Sequence, residues 1–500
     1  MTDSALRLAA VDIGAESGRV LVGTFDGSRL SLADIHRFAN VPVALAGTLH
    51  WDFLHLFGEV TAGLRRAGAS GPIASVGVDT WGVDFGLLDA RGRLLANPVH
   101  YRDVRTAGMV EAACAMVPRD EIYAVTGIQF TPINTLYQLF SMVRANDPLL
   151  GQADRLLLMA DLFAHFLSGA SVAEYTDAST SQCLDAAARD WARPMLERLG
   201  IPTDFLPEIV NPGTVIGSLR PELAEAAGLA GTRMVAPGSH DTASAVVGAP
   251  LASSSTAFLS SGTWSLIGLE VPAPVITPAS FAANLTNEGG VAGTIRLIRN
   301  VVGLWLVQEG RRALWPAGDG PSYEKLAAMA EAAPAFTAFI DPDDERFLRP
   351  GDMPARVRAF CAETGQPVPD DVPTLMRVIL ESLALRYAVA VDQLAAATDR
   401  PITAVHIVGG GSNHRLLCHL TAGATGLPVR AGPVEATAAG NLAVQAIAAG
   451  ELASVAEARE LIGRSFPIAT YDPRGDWTEV RARFAAITGR PPATAAPTAS

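Results

Sequence analysis

Lysine is nearly absent from this chain of 500 residues. Of its 38 lysine and arginine residues, Lys325 is the single lysine and the others are arginines. A P-loop needs the lysine of its GxxxxGK[ST] motif, and a protein-kinase site needs a lysine near its glycine loop. Lys325 lies in GPSYEKLAAMAEAA, which predicts the exposed face of a helix. We therefore exclude both phosphate sites and lysine-dependent Schiff-base catalysis. A phosphate would have to be bound by backbone amides, hydroxyls, arginine or a metal.

The sequence also lacks excess basic charge, paired cysteines and a long apolar run. Its formal net charge of -13 argues against a nucleic-acid partner, because phosphate backbones are bound by clustered Lys and Arg. Cys114, Cys183, Cys361 and Cys418 form no CxxC pair, which argues against a zinc ribbon or a disulfide framework. No run reaches the ~18 apolar residues of a membrane span, and the N-terminus does not resemble a secretory signal. These absences predict a cytoplasmic protein with no nucleic-acid or membrane partner.

The strand-like segments indicate two α/β halves. Residues 6–25 contain an apolar run, a turn of small residues and a second apolar run, which predicts a β-hairpin. Residues 255–271, STAFLSSGTWSLIGLEV, repeat the pattern. We expect an N-terminal domain over 1–249 and a C-terminal domain over 250–489. The low-complexity tail 490–500 is expected to be disordered.

The turn DIGAESGR, residues 12–19, has the composition of a phosphate-binding loop. Small residues allow backbone amides to approach an anion, Ser17 adds a hydroxyl, and Arg19 adds positive charge. Asp12, at the strand end, could hold a hydrated magnesium ion. An ordinary hairpin turn whose glycines are chosen for positive φ explains the same letters.

Two turns in the second half have similar ingredients. In SSGTWS, residues 260–265, Thr263 is the hydroxyl that we place on the transferred phosphate, and a plain hairpin turn is the alternative. In GGGS, residues 409–412, the amides precede an apparent helix and could meet a nucleotide. Tight packing between strand and helix explains these glycines equally well.

Two polar stretches suit a sugar substrate. In GSHDTASAV, residues 238–246, Asp241 could accept the proton of a hydroxyl that attacks a γ-phosphate, with Thr242 or His240 orienting that hydroxyl. Asp241 could instead cap a helix that begins at TASAVV. Trp81, in TWGVDFGLLD, could stack on a sugar ring or lie in the core.

Taken together, these stretches resemble the FGGY family of carbohydrate kinases nearly end to end, on the blocks VDIGAESGRV, DIHRF, DTWGVDFGLLD, YRDVR, GIQFTPINTLYQL, EYTDAST, SHDTASAV, LSSGTWSL, TNEGG, GLWLVQ, HIVGGG and AGPVEATAAGN. The resemblance implies an α/β fold of two actin- and hexokinase-like (ribonuclease H-like) domains around a central cleft. It also implies an ATP-dependent, Mg2+-assisted phosphorylation of the 1-hydroxyl of L-rhamnulose, giving L-rhamnulose 1-phosphate in L-rhamnose breakdown. We expect a monomer or weak dimer.

The resemblance assigns the site residue by residue. The nucleotide site falls on Ala15, Glu16, Ser17, Gly18, Arg19, Thr263, Gln308 and Gly410. The substrate contacts fall on Gly82, His240, Asp241, Thr242 and Asn300. Asp241 takes the place of the general base, and Asp12 would hold Mg2+ through water. Glu16 departs from the Ser or Thr common in the family, and its charge is expected to point away from the triphosphate.

Three other activities are compatible with these residues. The first is a kinase for a related ketose, such as L-fuculose, L-ribulose or L-xylulose. The second is an actin-like ATPase that transfers no phosphate to sugar, and the third is a metal-dependent phosphate hydrolase built on Asp12 and Asp241. Turnover on a panel of ketoses separates them.

Overall fold

A computed structural model describes residues 5–489, so the tail predicted at 490–500 lies outside the described residues. The strands are β1 Leu6–Ile13, β2 Ser17–Phe25, β3 Leu30–Ala39, β4 Val43–Leu45, β5 Thr48–His50, β6 Ser75–Thr80, β7 Phe85–Leu88, β8 Arg155–Leu158, β9 Val172–Glu174, β10 Leu184–Asp185, β11 Asp190–Trp191, β12 Glu208–Val210, β13 Val215–Ser218, β14 Arg233–Val235, β15 Thr256–Ser261, β16 Trp264–Val271, β17 Thr286–Gly289, β18 Ile295–Val302, β19 Ala404–Val408, β20 Val429–Ala431 and β21 Ala469–Tyr471.

The helices are α1 Phe53–Ala69, α2 Met109–Cys114, α3 Arg119–Thr126, α4 Thr135–Arg144, α5 Pro148–Gln152, α6 Met159–Ser168, α7 Tyr175–Ala178, α8 Arg193–Arg198, α9 Pro221–Ala227, α10 Asp241–Val247, α11 Pro278–Ala282, α12 Trp305–Leu314, α13 Tyr323–Ala332, α14 Met353–Glu363, α15 Val372–Thr398, α16 Arg415–Thr425, α17 Ala436–Ala448, α18 Val455–Ser465 and α19 Thr478–Thr488. Among residues 5–489 no helix is both long and apolar enough to cross a membrane. Lys325 lies exposed on α13, as predicted.

The first large sheet has six strands in the order β13-β14-β6-β1-β2-β3. β1 pairs antiparallel with β2 and parallel with β6, which confirms the hairpin predicted over residues 6–25. The last six residues of β1 are all buried, as expected for a strand covered on both faces. Leu8 and Ala10 pack in one core cluster with Leu442 and Val444 of α17. Helix α17 therefore covers one face of this sheet.

The second large sheet has seven strands in the order β17-β18-β16-β15-β19-β20-β21. β15 pairs antiparallel with β16 and parallel with β19. This arrangement repeats that of β1, β2 and β6, so the echo between the two hairpins in the sequence is also an echo of topology.

The chain divides into two compact units whose segments alternate along the sequence. The first unit comprises the residues up to Pro250, then Glu270–Leu297 and Ala436–Phe466. The second comprises Leu251–Leu269, Ile298–Glu435 and the residues from Pro467 onward. The first division falls next to the boundary expected from sequence, but the two later segments of unit 1 interrupt the continuous half expected over 250–489. Segment 436–466 belongs to unit 1 because α17 buries its apolar face on β1.

Candidate active site

Two aspartates stand side by side at the carboxyl ends of neighbouring parallel strands. Asp12 of β1 and Asp79 of β6 are directly paired in the strand register. Asp79 is fully buried, and its Oδ2 accepts a hydrogen bond of 2.5 Å from Asn441 Nδ2. Burial and the nearby charge of Asp12 raise the pKa of Asp79 well above its usual range. Asp79 belongs to the DTWG block but was not among the predicted site residues.

His240 and Asp241 reach the same edge of the sheet through the segment that follows β14. Thr80, the last residue of β6, forms a parallel bridge with His240, and its backbone amide donates to Ser239 O at 2.9 Å. Helix α10 begins directly afterwards, with His240 as its N-cap and Asp241 as its first residue. The alternative interpretation of Asp241 as the helix cap is therefore wrong. Its carboxylate is free of the capping function because His240 occupies that position.

Asp241 differs from its carboxylate neighbours in exposure. Its side chain is 32% exposed, whereas Asp12 is 8% and Asp79 0% exposed as whole residues. Thr242 Oγ1 donates to Asp241 Oδ1 at 3.1 Å, and His240 Nε2 lies 3.4 Å from the same oxygen. Loss of solvation raises the pKa of Asp241, His240 opposes this shift, and Asp12 adds to it. A partly exposed carboxylate with a raised pKa suits proton acceptance.

The backbone of the loop between β1 and β2 is tied in place by Asn40. Asn40 Nδ2 donates to Gly14 O, and its backbone amide donates to Glu16 O, both at 2.9 Å. The predicted loop residues Ala15 and Ser17 lie at this turn, and Gly14 N donates to Ser17 O at 2.9 Å.

The glycines of this loop do not serve positive φ. Neither Gly14 nor Gly18 is among the positive-φ residues, so that alternative is wrong. A Cβ on Gly18 would lie 2.3 Å from the ring of Phe38, which makes close packing the reason for this glycine.

Arg19 folds back onto Asp12, its register partner across the hairpin. Its Nε and Nη2 both donate to Asp12 Oδ2, at 3.0 and 2.8 Å. No group of three or more His, Cys, Asp or Glu within residues 5–489 could hold a metal ion. Mg2+ usually keeps several waters and is bound by one or two carboxylates together with substrate phosphates. Asp12 fits that mode, because both of its contacts to Arg19 use one oxygen.

Gly82 and Val83 form a constrained turn between β6 and β7. A Cβ on Gly82 would lie 2.8 Å from Thr180 Oγ1, so the turn approaches Thr180 closely. Val83 has a φ of 68°, which is unusual for a β-branched residue, and its amide donates to Thr180 Oγ1 at 3.1 Å. Trp81 is 6% exposed and its ring lies 4.1 Å from that of Trp51. Of its two interpretations, the structure favours the core.

His240 is surrounded on its other side by groups that the predicted site did not include. Its Nδ1 lies 3.2 Å from Glu288 Oε2 and 3.1 Å from Arg296 Nη1. Arg296 Nη2 lies 3.4 Å from Glu288 Oε2, and its Nε donates to Gly289 O at 2.8 Å. Glu288 is 3% and Arg296 0% exposed. The TNEGG block contains Glu288, but only the folded chain brings it to His240.

Glu174 and Thr176 hold the backbone before Asp241. Glu174 Oε2 accepts from Ser239 N at 3.0 Å, and Thr176 Oγ1 accepts from His240 N at 3.2 Å. Thr176 Oγ1 in turn donates to Glu174 Oε2 at 2.5 Å. Burial raises the pKa of Glu174, while its hydrogen bonds to Thr176 oppose that shift. These residues of the EYTDAST block thus fix the path of the loop that leads to Asp241.

In unit 2, the hairpin turn of Gly262 and Thr263 contacts the start of α12. Thr263 O accepts from Gly303 N at 3.2 Å and from Trp305 N at 3.1 Å. Gln308 lies one turn further along α12, and its Oε1 is buried without a hydrogen-bond partner in the described part of the chain. A buried unpaired amide oxygen calls for an explanation, and a ligand is one of those available.

The three glycines after β19 have three different environments. Gly409 has a φ of 79°, and a Cβ on Gly411 would lie 2.0 Å from Ser261 Oγ. Gly410 is exposed, and nothing lies within 4 Å of a Cβ built on it. The packing interpretation therefore accounts for Gly411, whereas Gly410 faces open space. The remaining predicted contact, Asn300, lies on β18 in unit 2 and is half-buried.

Comparison with known proteins identifies the family of this chain. Residues 8–248 match the N-terminal domain and residues 257–449 the C-terminal domain of the FGGY family of carbohydrate kinases. Rhamnulokinase from Bacteroides thetaiotaomicron is 44% identical over 466 residues, which are 93% of this chain and 95% of that protein. Rhamnulokinase from Pectobacterium carotovorum is 42% identical over 472 residues, which are 94% of this chain and 93% of that protein.

The fold has counterparts of low sequence identity. The crystal structure of gluconate kinase from Lactobacillus acidophilus superposes with a TM-score of 0.79 at 18% identity and covers 97% of this chain and 96% of its own. At this identity the likeness shows the fold alone, which is the two-domain α/β fold expected from the motifs. The chain therefore belongs to the FGGY family of carbohydrate kinases, and its activity is the ATP-dependent phosphorylation of a sugar.

Proposed function

We propose that this chain phosphorylates L-rhamnulose at its 1-hydroxyl, as a cytoplasmic rhamnulokinase in L-rhamnose breakdown, with Asp241 as the general base. The observation that carries the base assignment is the exposure of Asp241, whose side chain is 32% exposed and oriented by Thr242. The identity of 44% to a rhamnulokinase supports the choice of sugar.

In the proposed step, Asp241 accepts the proton of the sugar hydroxyl while that oxygen attacks the γ-phosphorus of ATP. The bond between the γ-phosphorus and the bridging oxygen breaks, ADP leaves, and the proton remains on Asp241 until water removes it. The raised pKa of Asp241 favours this acceptance, because a base is most effective when its pKa approaches the working pH. Positioning supplies most of the remaining rate.

The other predicted residues remain proposals for binding. Gly82, His240, Thr242 and Asn300 would contact the sugar. The nucleotide would be bound by Ala15, Glu16, Ser17, Gly18, Arg19, Thr263, Gln308 and Gly410. The unpaired oxygen of Gln308 and the open space at Gly410 support their part in this group.

Asp12 is the residue that would hold Mg2+, through water. When bound with ATP, Mg2+ neutralises charge on the phosphate oxygens. Arg19 restrains the Asp12 carboxylate through Oδ2, which would leave the second oxygen for the water through which Asp12 would hold Mg2+.

A panel of ketoses tests the proposed function. The chain is supplied with ATP, Mg2+ and, separately, L-rhamnulose, L-fuculose, L-ribulose or L-xylulose, and products are followed by phosphorus NMR. We expect the highest kcat/KM with L-rhamnulose and a sugar 1-phosphate as product. A higher kcat/KM with another ketose would show that this ketose, and not L-rhamnulose, is the substrate. Release of inorganic phosphate in the absence of sugar would indicate an ATPase or a phosphate hydrolase instead of a sugar kinase.

A further inference from the structure

The tautomer of His240 is restricted by its buried neighbours. Arg296 Nη1 lies 3.1 Å from His240 Nδ1 in hydrogen-bonding geometry. A guanidinium has five N–H donors, no acceptor, and does not lose its proton in proteins. Burial lowers the pKa of Arg296, and the adjacent Glu288 carboxylate opposes that shift. Because Arg296 can only donate, a hydrogen bond at this contact requires an unprotonated Nδ1. It competes with Glu288 Oε2, which lies 3.2 Å from the same nitrogen and would accept a proton from it.

An unprotonated Nδ1 places the proton of a neutral imidazole on Nε2. Nε2 is the ring nitrogen that lies 3.4 Å from Asp241 Oδ1. Glu288 Oε2, 3.4 Å from Arg296 Nη2, balances the buried guanidinium charge, so His240 need not carry a charge for the cluster to be compensated. The backbone of His240 is also restrained, because its amide donates to Thr176 Oγ1 at 3.2 Å.

We propose that Arg296 is a positioning residue that holds His240 as the Nε2–H tautomer, so that His240 and Thr242 both direct their protons to Asp241 Oδ1 and leave Oδ2 to take the substrate proton. This inference rests on the proposed role of Asp241 as base. It makes His240 a donor, since Nε2 already carries a proton and Nδ1 is used by Arg296.

The selection of one oxygen has a chemical consequence. Thr242 Oγ1, at 3.1 Å, and His240 Nε2, at 3.4 Å, approach the same carboxylate oxygen. The hydrogen bond from Thr242 restrains the rotation of the carboxylate about its Cβ–Cγ bond, and the Nε2–H of His240 would add attraction to the same oxygen. The lone pairs of Oδ2 are then left for the attacking hydroxyl. Without Arg296, Nδ1 could be protonated toward Glu288 Oε2, and Nε2 would then turn a lone pair toward Asp241.

The tautomer can be read directly by NMR. The full-length chain is labelled with 15N in its histidine rings, and the signals of His240 are identified by their loss in His240→Gln. Two-bond nitrogen–proton correlations then distinguish a protonated from an unprotonated ring nitrogen. We expect Nε2 protonated and Nδ1 unprotonated in the substrate-free protein at neutral pH. A protonated Nδ1 would overturn the inference, whatever the variants do.

Two variants test the dependence on Arg296. In Arg296→Met we expect the protonated-Nδ1 form to appear and kcat to fall at least tenfold, with KM for the ketose changed less than threefold. Arg296→Lys keeps a buried cation next to Glu288. Relative to Arg296→Met, we expect it to recover part of the Nε2–H tautomer and part of kcat. An unchanged tautomer, or an unchanged kcat, in folded Arg296→Met would refute the positioning role. If that variant does not fold, Arg296→Lys and the unmodified chain decide the question.

Arg386→Met is the matched control. Arg386 is also 0% exposed and also paired with a carboxylate, because its Nε donates to Asp343 Oδ2 at 3.0 Å. We expect it to lose stability without any change of the His240 tautomer. The experiments distinguish failure of the proposed function from failure of this inference. If His240 has the expected tautomer but no ketose is phosphorylated, only the proposed function is refuted. Phosphorylation of L-rhamnulose with Nδ1 protonated refutes the inference alone.

Discussion

At the scale of single residues, three aspartates of unit 1 share one chemistry but occupy three environments. Asp12 is paired with Arg19, Asp79 is buried against Asn441, and the side chain of Asp241 is 32% exposed. An ion pair stabilises the carboxylate form, whereas burial favours the neutral form. The different roles proposed for Asp12, which would hold Mg2+, and for Asp241, the base, are therefore consistent with their different surroundings.

Asp241→Asn tests the base assignment at this scale. The amide keeps the size of the side chain and an oxygen that Thr242 can donate to, but it cannot accept a proton. We expect kcat to fall by about 10²- to 10⁴-fold and the Kd for the sugar to change by less than about tenfold, or ~1.4 kcal/mol. Steady-state kinetics and calorimetric titration measure the two quantities. Asp26→Asn, in an exposed turn, is the control, and equal losses of binding and turnover in Asp241→Asn would indicate a structural role instead.

Asp84 makes stability depend on pH. It is fully buried, and its Oδ2 accepts from Trp51 Nε1 at 2.6 Å, Trp81 Nε1 at 3.0 Å and Tyr101 N at 3.2 Å. Gln138 Nε2 donates to its Oδ1 at 2.8 Å. Burial nevertheless raises the pKa of Asp84 to about 6, from 3.8, and the hydrogen bonds limit that rise.

Because the folded pKa is the higher one, Asp84 contributes stability that is complete below pH 3.8 and is lost as pH rises through about 6. Between pH 5 and 7 its contribution to the free energy of unfolding should fall by about 1 kcal/mol. Urea unfolding at both pH values, of the unmodified chain and of Asp84→Asn, isolates this part. The same pH dependence in both proteins would contradict the assignment.

At the scale of elements, helices α10 and α17 are in direct backbone contact. A Cβ on Gly440 would lie 1.8 Å from Ser244 O, and a Cβ on Gly248 would lie 2.0 Å from Ala436 O. No side chain fits at either point. The same helix α17 carries Asn441, which donates to Asp79, so the packing of two helices determines where the amide partner of a site carboxylate lies.

Gly440→Ala should separate these helices. The added methyl meets backbone, which cannot move away as a flexible side chain can, so we expect a loss of at least about 2 kcal/mol in the free energy of unfolding. We also expect reduced kcat, because Asn441 shifts with the helix. Gly58→Ala in α1 is the matched control: nothing lies within 4 Å of a Cβ built there. That change should be neutral or stabilising by up to about 1 kcal/mol. Equal stability of the two variants would exclude the helix contact as a constraint.

At the scale of the whole molecule, local features were predictable and long-range partners were not. The hairpin of residues 6–25 and the presence of a helix directly after His240 follow from short sequence patterns. Arg296, by contrast, meets His240 across 56 positions and Gln445 donates to Ala9 O across 436. No periodicity of the sequence relates such residues. Arg296 lies outside every quoted motif, and Glu288 was missed although its motif TNEGG was visible.

The discontinuity of unit 1 predicts how fragments behave. Gln445 Nε2 donates to Ala9 O at 2.9 Å, its Oε1 accepts from Ser75 Oγ at 2.7 Å, and Leu442 is buried against Leu8 and Ala10. A fragment that ends at residue 250 lacks these partners. It exposes the face of β1 that α17 covers, and large exposed apolar faces drive aggregation.

We therefore expect a fragment of residues 1–250 to aggregate or to unfold without a cooperative transition. Joining residues 436–466 to its end should restore cooperative unfolding in urea, measured by circular dichroism. A short flexible linker suffices, because the backbone at Gly248 adjoins Ala436. The same linker with a scrambled 436–466 sequence controls for added length. Helix α17 supplies both apolar area, through Leu442, and a buried side-chain amide, that of Gln445. If residues 1–250 alone folded cooperatively, β1 and β6 would not need to be covered by α17.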